Sequence, residues 1–342
     1  MDLNQRIRDA WRARAELERD PELDCYRLFH GRSEGCPGLE IDRYGEAVVL
    51  VHAPELAPRL GEVLESLDQC HRFDIAVARP RGQRPAAAPV AAGGARTDSS
   101  GAAHAAPPLV LRGNPPAGRT WVVREHGLRF AVDLLRAGNP GLYLDARPAR
   151  RWLRDHPDGR RVLNLFAFTG SLGVAAAAGG ARPVVHVDSH AGALDWCRAN
   201  SELNRVPVDH RDLARMNIYQ HIRRAQAGRQ RYGGIILDPP PGPEQPRPKD
   251  RTPGRRGIVA LVPLAARMLE PGGWLLCLFH RAPRDRGELE AEVAGAAAAG
   301  APAARLEVIW RGESGPDFPA ADGSRELYIT AWTNTIAAPP ML

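Results

Sequence analysis

Three carboxylates in the second half of the chain stand where an open α/β sheet would do chemistry: Asp188, Asp212 and Asp238. Each ends a strand-like run: the apolar VVHVDSH (184–190) and GGIILDPP (233–240), and a short, weak one near VDHRDL (208–213). Ligands of such sheets bind in the crevice beyond the carboxyl ends of the strands, where an acid can accept hydrogen bonds. Asp188 lies 18 residues after Gly170, a spacing that suits both hydroxyls of a ribose. Asp212 could accept from an adenine amino group. For both residues the alternative role is to cap a following helix. Asp238 precedes Pro239 and Pro240. Two prolines fix φ, remove two N–H donors and stiffen the residue before them. The chain would therefore leave the sheet there in rigid, extended form; a plain strand stop is the alternative.

A Gly-rich turn tests which nucleotide could bind. RVLNLFAF (161–168) runs into Phe168-Thr169-Gly170-Ser171-Leu172-Gly173. A dinucleotide fingerprint reads G-x-G-x-x-G, and here its first glycine is Phe168. That glycine makes the tight turn beside a pyrophosphate, and a phenylalanine does not replace it. The ligand is then nucleoside-like without pyrophosphate, which disfavours a nicotinamide dehydrogenase and suggests S-adenosylmethionine.

The elements around these residues alternate. After 161–168 come an alanine-rich helix, the strand at 184–190, a helix through AGALDWCRANSELN (191–204) and a short strand near 208–213. The strand at 233–240, a helix IVALVPLAARML (258–269) and the strand GWLLCLFH (273–280) follow. RLEVIWR (305–311) and ELYITAWT (326–333) have no helix between them, which predicts a terminal antiparallel hairpin. Apolar strands alternating with helices predict a doubly wound, mostly parallel sheet covered on both faces. Upstream, residues 1–20 read as one charged helix with Ile7, Trp11 and Leu17 on one side. CYRLFH, GLEIDRYG, EAVVLVHA and FDIAVARP are strand-like, and 55–70 is helix-like. The expected division is a small α/β module at 1–80, a flexible Ala/Gly/Pro/Arg-rich insert at 81–118, a connecting hairpin at 119–137 and the doubly wound domain at 138–335.

Composition narrows the partners. The 342 residues carry a net charge of +6, and all but one of the 46 basic residues are arginine. Arginine's planar fork suits phosphate, although GC-rich coding produces the same excess. The loop PEQPRPKDRTPGRR (243–256) has Arg247, Lys249, Arg251, Arg255 and Arg256 against Glu244 and Asp250. Directly after Asp-Pro-Pro, it could follow a phosphate backbone. His280, with Phe279 before it, ends its strand on the same rim and could touch a base. The five cysteines form no C-x-x-C pair, which argues against a disulfide framework and a clustered zinc site; no metal is expected. No run of 18 apolar residues suggests a membrane span, and the charged N-terminus lacks the apolar stretch of a secretory signal. A cytoplasmic location is the expectation.

VLNLFAFTGSLGVAAAAGGARPVVHVDSHAGALDWCRANSELN and IILDPP resemble class I S-adenosylmethionine-dependent methyltransferases of the bacterial 23S rRNA group, which modify guanine N7 or cytosine C5. GLYLDARPARRWL (141–153) resembles that family's segment before its first Rossmann-like strand. DCYRLFHGRSEGCPGLEIDRYGEAVVL (24–50) resembles its small RNA-binding module. The resemblance implies that Asp188 holds the ribose, that Asp212 lies near the adenine, and that Phe166, Phe168, Thr169 and Gly170 line the cofactor. It also implies that Tyr143, Asp145 and Arg147 border the pocket and that Asp238 sits at the methyl, beside Pro239 and Pro240. Ribosomal RNA would be the partner, with room for a homodimer.

Two departures bear on the target atom. Related sequences place an aromatic residue where this chain has Gly242. Cytosine-C5 enzymes also need a cysteine thiolate that adds to the ring. Here Cys277-Leu278-Phe279-His280 replaces their C-S-C-S run, and Cys277 falls inside the strand. Guanine N7 in 23S rRNA is therefore the expected atom, since its lone pair needs neither a covalent nucleophile nor a base. Methylation of another RNA or a small molecule, and a catalytically inactive binding module, remain the alternatives.

Overall fold

The computed structural model describes residues 2–81, 107–136, 138–156, 159–240, 257–280, 285–301, 304–320 and 327–335. Two compact units divide the chain, one formed by Met1–Leu144 and Pro316–Gly323, the other by Asp145–Gly315 and Ser324–Leu342. The 144/145 division falls later than the sequence boundary at 138, and a short C-terminal stretch joins the first unit.

The first unit begins with α1 (Leu3–Ala13) and α2 (Ala15–Arg19). The single helix expected over 1–20 is thus interrupted at Arg14. That residue is buried, and its guanidinium donates to the carbonyls of Arg27 and Asp317 and pairs with Glu34. The sheet comprises β1 (Cys25–Phe29), β2 (Leu39–Tyr44), β3 (Ala47–His52), β4 (Ile75–Pro80) and β5 (Leu109–Arg112), in that order. Helix α3 (Leu60–Asp68) connects β3 to β4, the parallel pair of the sheet. β5 lies inside the expected insert of 81–118, so the part of it beyond 106 is structured; 82–106 lie outside the described residues. β6 (Trp121–Glu125) and β7 (Leu128–Val132) form a hairpin closed by His126 and Gly127, both at positive φ. Two positive-φ residues match the twist that a two-residue hairpin requires. Asp317, fully buried, accepts from the Arg27 N–H, and so fastens the returning C-terminal stretch to β1.

The second unit holds a seven-stranded sheet, ordered β10-β9-β8-β11-β12-β14-β13. Its strands are β8 (Val162–Leu165), β9 (Val184–Asp188), β10 (Leu213–Arg215), β11 (Tyr232–Leu237), β12 (Leu269–His280), β13 (Leu306–Glu313) and β14 (Leu327–Asn334). β8 to β12 are parallel, and β14 runs antiparallel between β12 and β13. This is the doubly wound sheet expected, although residues 314–326, rather than a tight turn, join the last two strands. Helices α4 (Arg147–Asp155), α5 (Ser171–Ala178) and α6 (Ala191–Leu203) pack together on one face. On the other, α7 (Ile218–Ala227), α8 (Val262–Ala266) and α9 (Arg286–Gly300) share a core with Leu163, Leu165, Val187, Leu237 and Cys277. Burying each such aliphatic side chain contributes about 1.5–3 kcal/mol. α8 is shorter than the helix expected over 258–269. Pro263 lacks an N–H and sits in its first turn, and the chain before it forms a 3-10 turn. Among the described residues no helix is long and apolar enough to cross a membrane.

Candidate functional site at the switch point of the sheet

The strand order reverses between β8 and its neighbours β9 and β11, which makes the carboxyl edge of these strands the crevice of the second unit. Leu165 pairs with both Val187 and Leu237, so the next residues, Phe166, Asp188 and Asp238, form one row along that edge. Arg215 of β10 pairs with Asp188 and extends the row.

Asp188 is held from two sides. The Phe168 N–H donates to its Oδ2 and the His190 N–H to its Oδ1, each at 2.9 Å. The His190 ring approaches Oδ1 at 3.2 Å. His190, rather than Asp188, is the N-cap residue of α6. The carboxylate is 14% exposed, so it is preorganised yet reachable. An ionised carboxylate offers about four lone-pair sites, which leaves acceptors for hydroxyl donors. Sequence reasoning missed His190, though the adjacent D-S-H was its signal.

The loop from β8 to α5 bends sharply. Phe166 has φ +62°, Phe168 +47° and Gly170 +80°. The expectation that a phenylalanine cannot make this turn is corrected here: Phe168 adopts the conformation that a glycine would supply. A non-glycine residue there costs roughly 1–2 kcal/mol. The Phe168–Asp188 hydrogen bond offsets part of that strain. Gly170 and Gly173 have a second cause. A Cβ on Gly170 would lie 2.2 Å from Sγ of Cys197, and one on Gly173 would lie 2.3 Å from Cε1 of His186. Thr169 is buried, and its carbonyl accepts from Asn200 Nδ2 at 2.9 Å, which ties the loop to α6.

Beneath Asp188 on the same face lies a buried polar layer. Asn164 Nδ2 and His186 Nδ1 are 3.3 Å apart, and both side chains are buried. Burial pushes the His186 imidazole down to about 4 from its ordinary 6.5. The folded protein therefore keeps it neutral where the unfolded chain takes a proton. The contribution is intact above pH 6.5 and is lost as pH falls towards 4, by about 3 kcal/mol at most. Wild-type stability should thus fall over this window by more than that of His186→Gln. Thermal melts of both from pH 7 to 4 check it, and parallel curves refute it.

Asp212 is the principal correction among the expected site residues. Leu213 pairs with His186, so Asp212 lies level with Val185, at the amino end of β10. It is three positions below Asp188, roughly 10 Å at strand rise. Its carboxylate instead accepts from the Asp209 N–H in a capping box around a 3-10 turn. That turn consumes VDHRD and delays the strand. The carboxyl end of β10 consists of Arg215, followed by Met216 and Asn217, and Asn217 caps α7 by accepting from the Tyr219 N–H.

On the other side of β8, Asp238 directly follows β11 and His280 ends β12. His280 Nε2 lies 2.6 Å from Asp238 Oδ1. Pro239 is buried and Pro240 exposed. Cys277 is completely buried, and burial pushes its thiol well above the ordinary range, so it offers no thiolate at this edge. Asp145 is half-buried beside α4, and Arg147, its first residue, is 5% exposed; this arginine is not a solvated surface charge. Tyr143 belongs to the first unit and is exposed. Arg247, Lys249, Arg251, Arg255 and Arg256 lie outside the described residues.

A family model of S-adenosylmethionine-dependent methyltransferases matches residues 26–331. The ribosomal RNA large subunit methyltransferases I of Salmonella arizonae and Cronobacter sakazakii are each 32% identical over 281 residues, 80% of this chain. The chain spans only 64% and 65% of the length of these curated relatives. Among solved structures, a SAM-dependent methyltransferase from Streptococcus mutans superposes with a TM-score of 0.78 at 19% identity, covering 96% of this chain and 80% of its own. A methyltransferase complexed with SAH gives a TM-score of 0.78 at 20% identity and the same coverage. These likenesses agree with the doubly wound fold.

Proposed function

The chain belongs to the S-adenosylmethionine-dependent methyltransferase family, and on that premise we propose that it transfers a methyl group from S-adenosylmethionine to a base of large-subunit ribosomal RNA. The observation that carries the reading is Asp188, fixed at the switch point by the backbone N–H groups of Phe168 and His190. A carboxylate so held fits the two donor hydroxyls of a ribose. Phe166, Phe168, Thr169 and Gly170 would line the nucleoside, with Asp145 and Arg147 at the pocket's border. When bound, the cofactor supplies an electrophilic methyl carbon. Asp238, backed by Pro239 and Pro240, would orient the accepting base.

Guanine N7 in 23S rRNA is the favoured atom. Its lone pair is available without loss of a proton, and the buried Cys277 thiol offers no nucleophile for covalent activation of a cytosine. Alignment alone contributes up to ~7–11 kcal/mol in favourable cases. The RNA reading draws on the relatives' names and on Arg215, exposed at the carboxyl end of β10 beside Asp188. Arg247, Lys249, Arg251, Arg255 and Arg256 would add phosphate contacts.

The test is to incubate the protein with labelled S-adenosylmethionine and ribosomal RNA from a strain lacking it, then map the label. Label on one large-subunit guanine supports the reading; label on a small molecule only, or none, refutes it. Changing the five loop residues to Gln should weaken RNA binding and flatten its salt dependence, by about 0.7 in slope for each single-strand phosphate that is no longer neutralised. Cofactor affinity should not change. Identical slopes for wild type and variant would remove the loop from the RNA interface.

A further inference from the structure

Building on the methyl-transfer reading, we propose that His280 is a positioning residue: it holds the Asp238 carboxylate as acceptor for an N–H donor of the target base. Leu237 and Cys277 pair in register and both enter the core shared with α7, α8 and α9. Strand alternation then turns Asp238 and His280 to the opposite face, where their side chains meet. Nε2 and Oδ1 lie 2.6 Å apart, and the side chains are 15% and 16% exposed. A carboxylate only accepts, so Nε2 carries the hydrogen and donates it.

The carboxylate is restrained at both ends. Pro239 narrows the backbone choices of Asp238, and His280 ties down Oδ1. Oδ2 has no partner among the described residues. An acceptor immobilised before its ligand arrives loses little entropy on binding, which is the advantage of a preorganised site. Asp238 stands two strands from Asp188 in the same row, roughly 10 Å away at ordinary strand spacing. If Asp188 takes the ribose, the acceptor lies beyond the nucleoside, where a second molecule enters. Among bases, the exocyclic amines and the ring N–H of guanine or uracil are the donors that a carboxylate recognises.

A double-mutant cycle tests this in the full-length protein, with methyl transfer to the unmodified ribosomal RNA and calorimetric cofactor binding as readouts. His280→Ala should slow transfer roughly tenfold, the loss expected for a hydrogen bond to a charged group. Cofactor affinity should stay unchanged, and His280→Gln, which keeps an N–H donor, should recover much of the rate. Asp238→Asn should slow transfer at least as far, and adding His280→Ala to it should cost nothing more. In the free protein, the nitrogen resonance of His280 Nε2 should move in Asp238→Asn. Melting curves of His280→Gln and His280→Ala exclude a folding defect as the cause. A His280→Ala protein that transfers at the wild-type rate overturns the proposal, as does a penalty that adds in full to that of Asp238→Asn. A wild type that transfers no methyl to RNA overturns the underlying reading and this inference with it.

Discussion

Replacing Asp188 by alanine should lower the affinity for S-adenosylmethionine by at least roughly tenfold. The carboxylate closes β9 in the row that also carries Phe166 and Asp238, and its oxygens are aimed by the Phe168 and His190 N–H groups. Hydrogen bonds to a charged group contribute about 1.5–3 kcal/mol each, and a ribose can donate two. The loss has a second source. Without the carboxylate, the Phe168 N–H is deprived of its acceptor, and the left-handed turn at Phe166 and Phe168 is less well held. Asp188→Asn separates the two sources. Its amide oxygen can still accept from Phe168, so the free protein should melt close to wild type, while the charge that receives the hydroxyls is gone. Calorimetry and melting of both variants measure the split. Unchanged cofactor affinity in Asp188→Ala would refute the ribose assignment.

The site was legible where its geometry is local. Asp188 ends β9 and Asp238 directly follows β11, and a parallel sheet exposes such positions to one crevice. Strand alternation and the helices between them marked the doubly wound sheet for the same reason. Asp212 was misplaced because β10 has only three residues. Hydrophobic pattern over so short a strand does not fix its start, and the Asp209 capping box had already claimed VDHRD. The turn at Phe168 was misjudged because propensity disfavours a phenylalanine at positive φ, whereas a tertiary hydrogen bond to Asp188 holds it there. The His280–Asp238 contact joins residues 42 positions apart and depends on the register of β11 against β12. Nothing in either segment alone specifies that register. The packing of Asp317 against β1 is likewise non-local, since it pairs a residue between the last two strands with the first strand of the chain.

Gly170→Ala should destabilise the second unit by roughly 2–4 kcal/mol. Two penalties combine. Gly170 has φ +80°, where an L-residue pays about 1 kcal/mol or more. The new methyl would also overlap Cys197, lying 2.2 Å from its Sγ and 2.9 Å from its Cβ. Overpacking of this kind costs about 1–3 kcal/mol, because helix α6 or the loop must shift. Neither can move freely, since Asn200 on α6 donates to the Thr169 carbonyl immediately before the glycine. Any displacement therefore passes to Phe168 and from there to Asp188, so cofactor affinity should fall together with stability. In a unit of this size the melting temperature should drop by on the order of 10 °C. The double variant Gly170→Ala/Cys197→Ala removes the nearer clash but leaves the backbone penalty. It should recover about half of the forfeited stability relative to Cys197→Ala alone. Full recovery would mean that the φ penalty is negligible, and no recovery would place the whole cost in the backbone. A Gly170→Ala protein that melts with the wild type and binds the cofactor equally well would show that the β8–α5 loop and α6 have room that their packing denies.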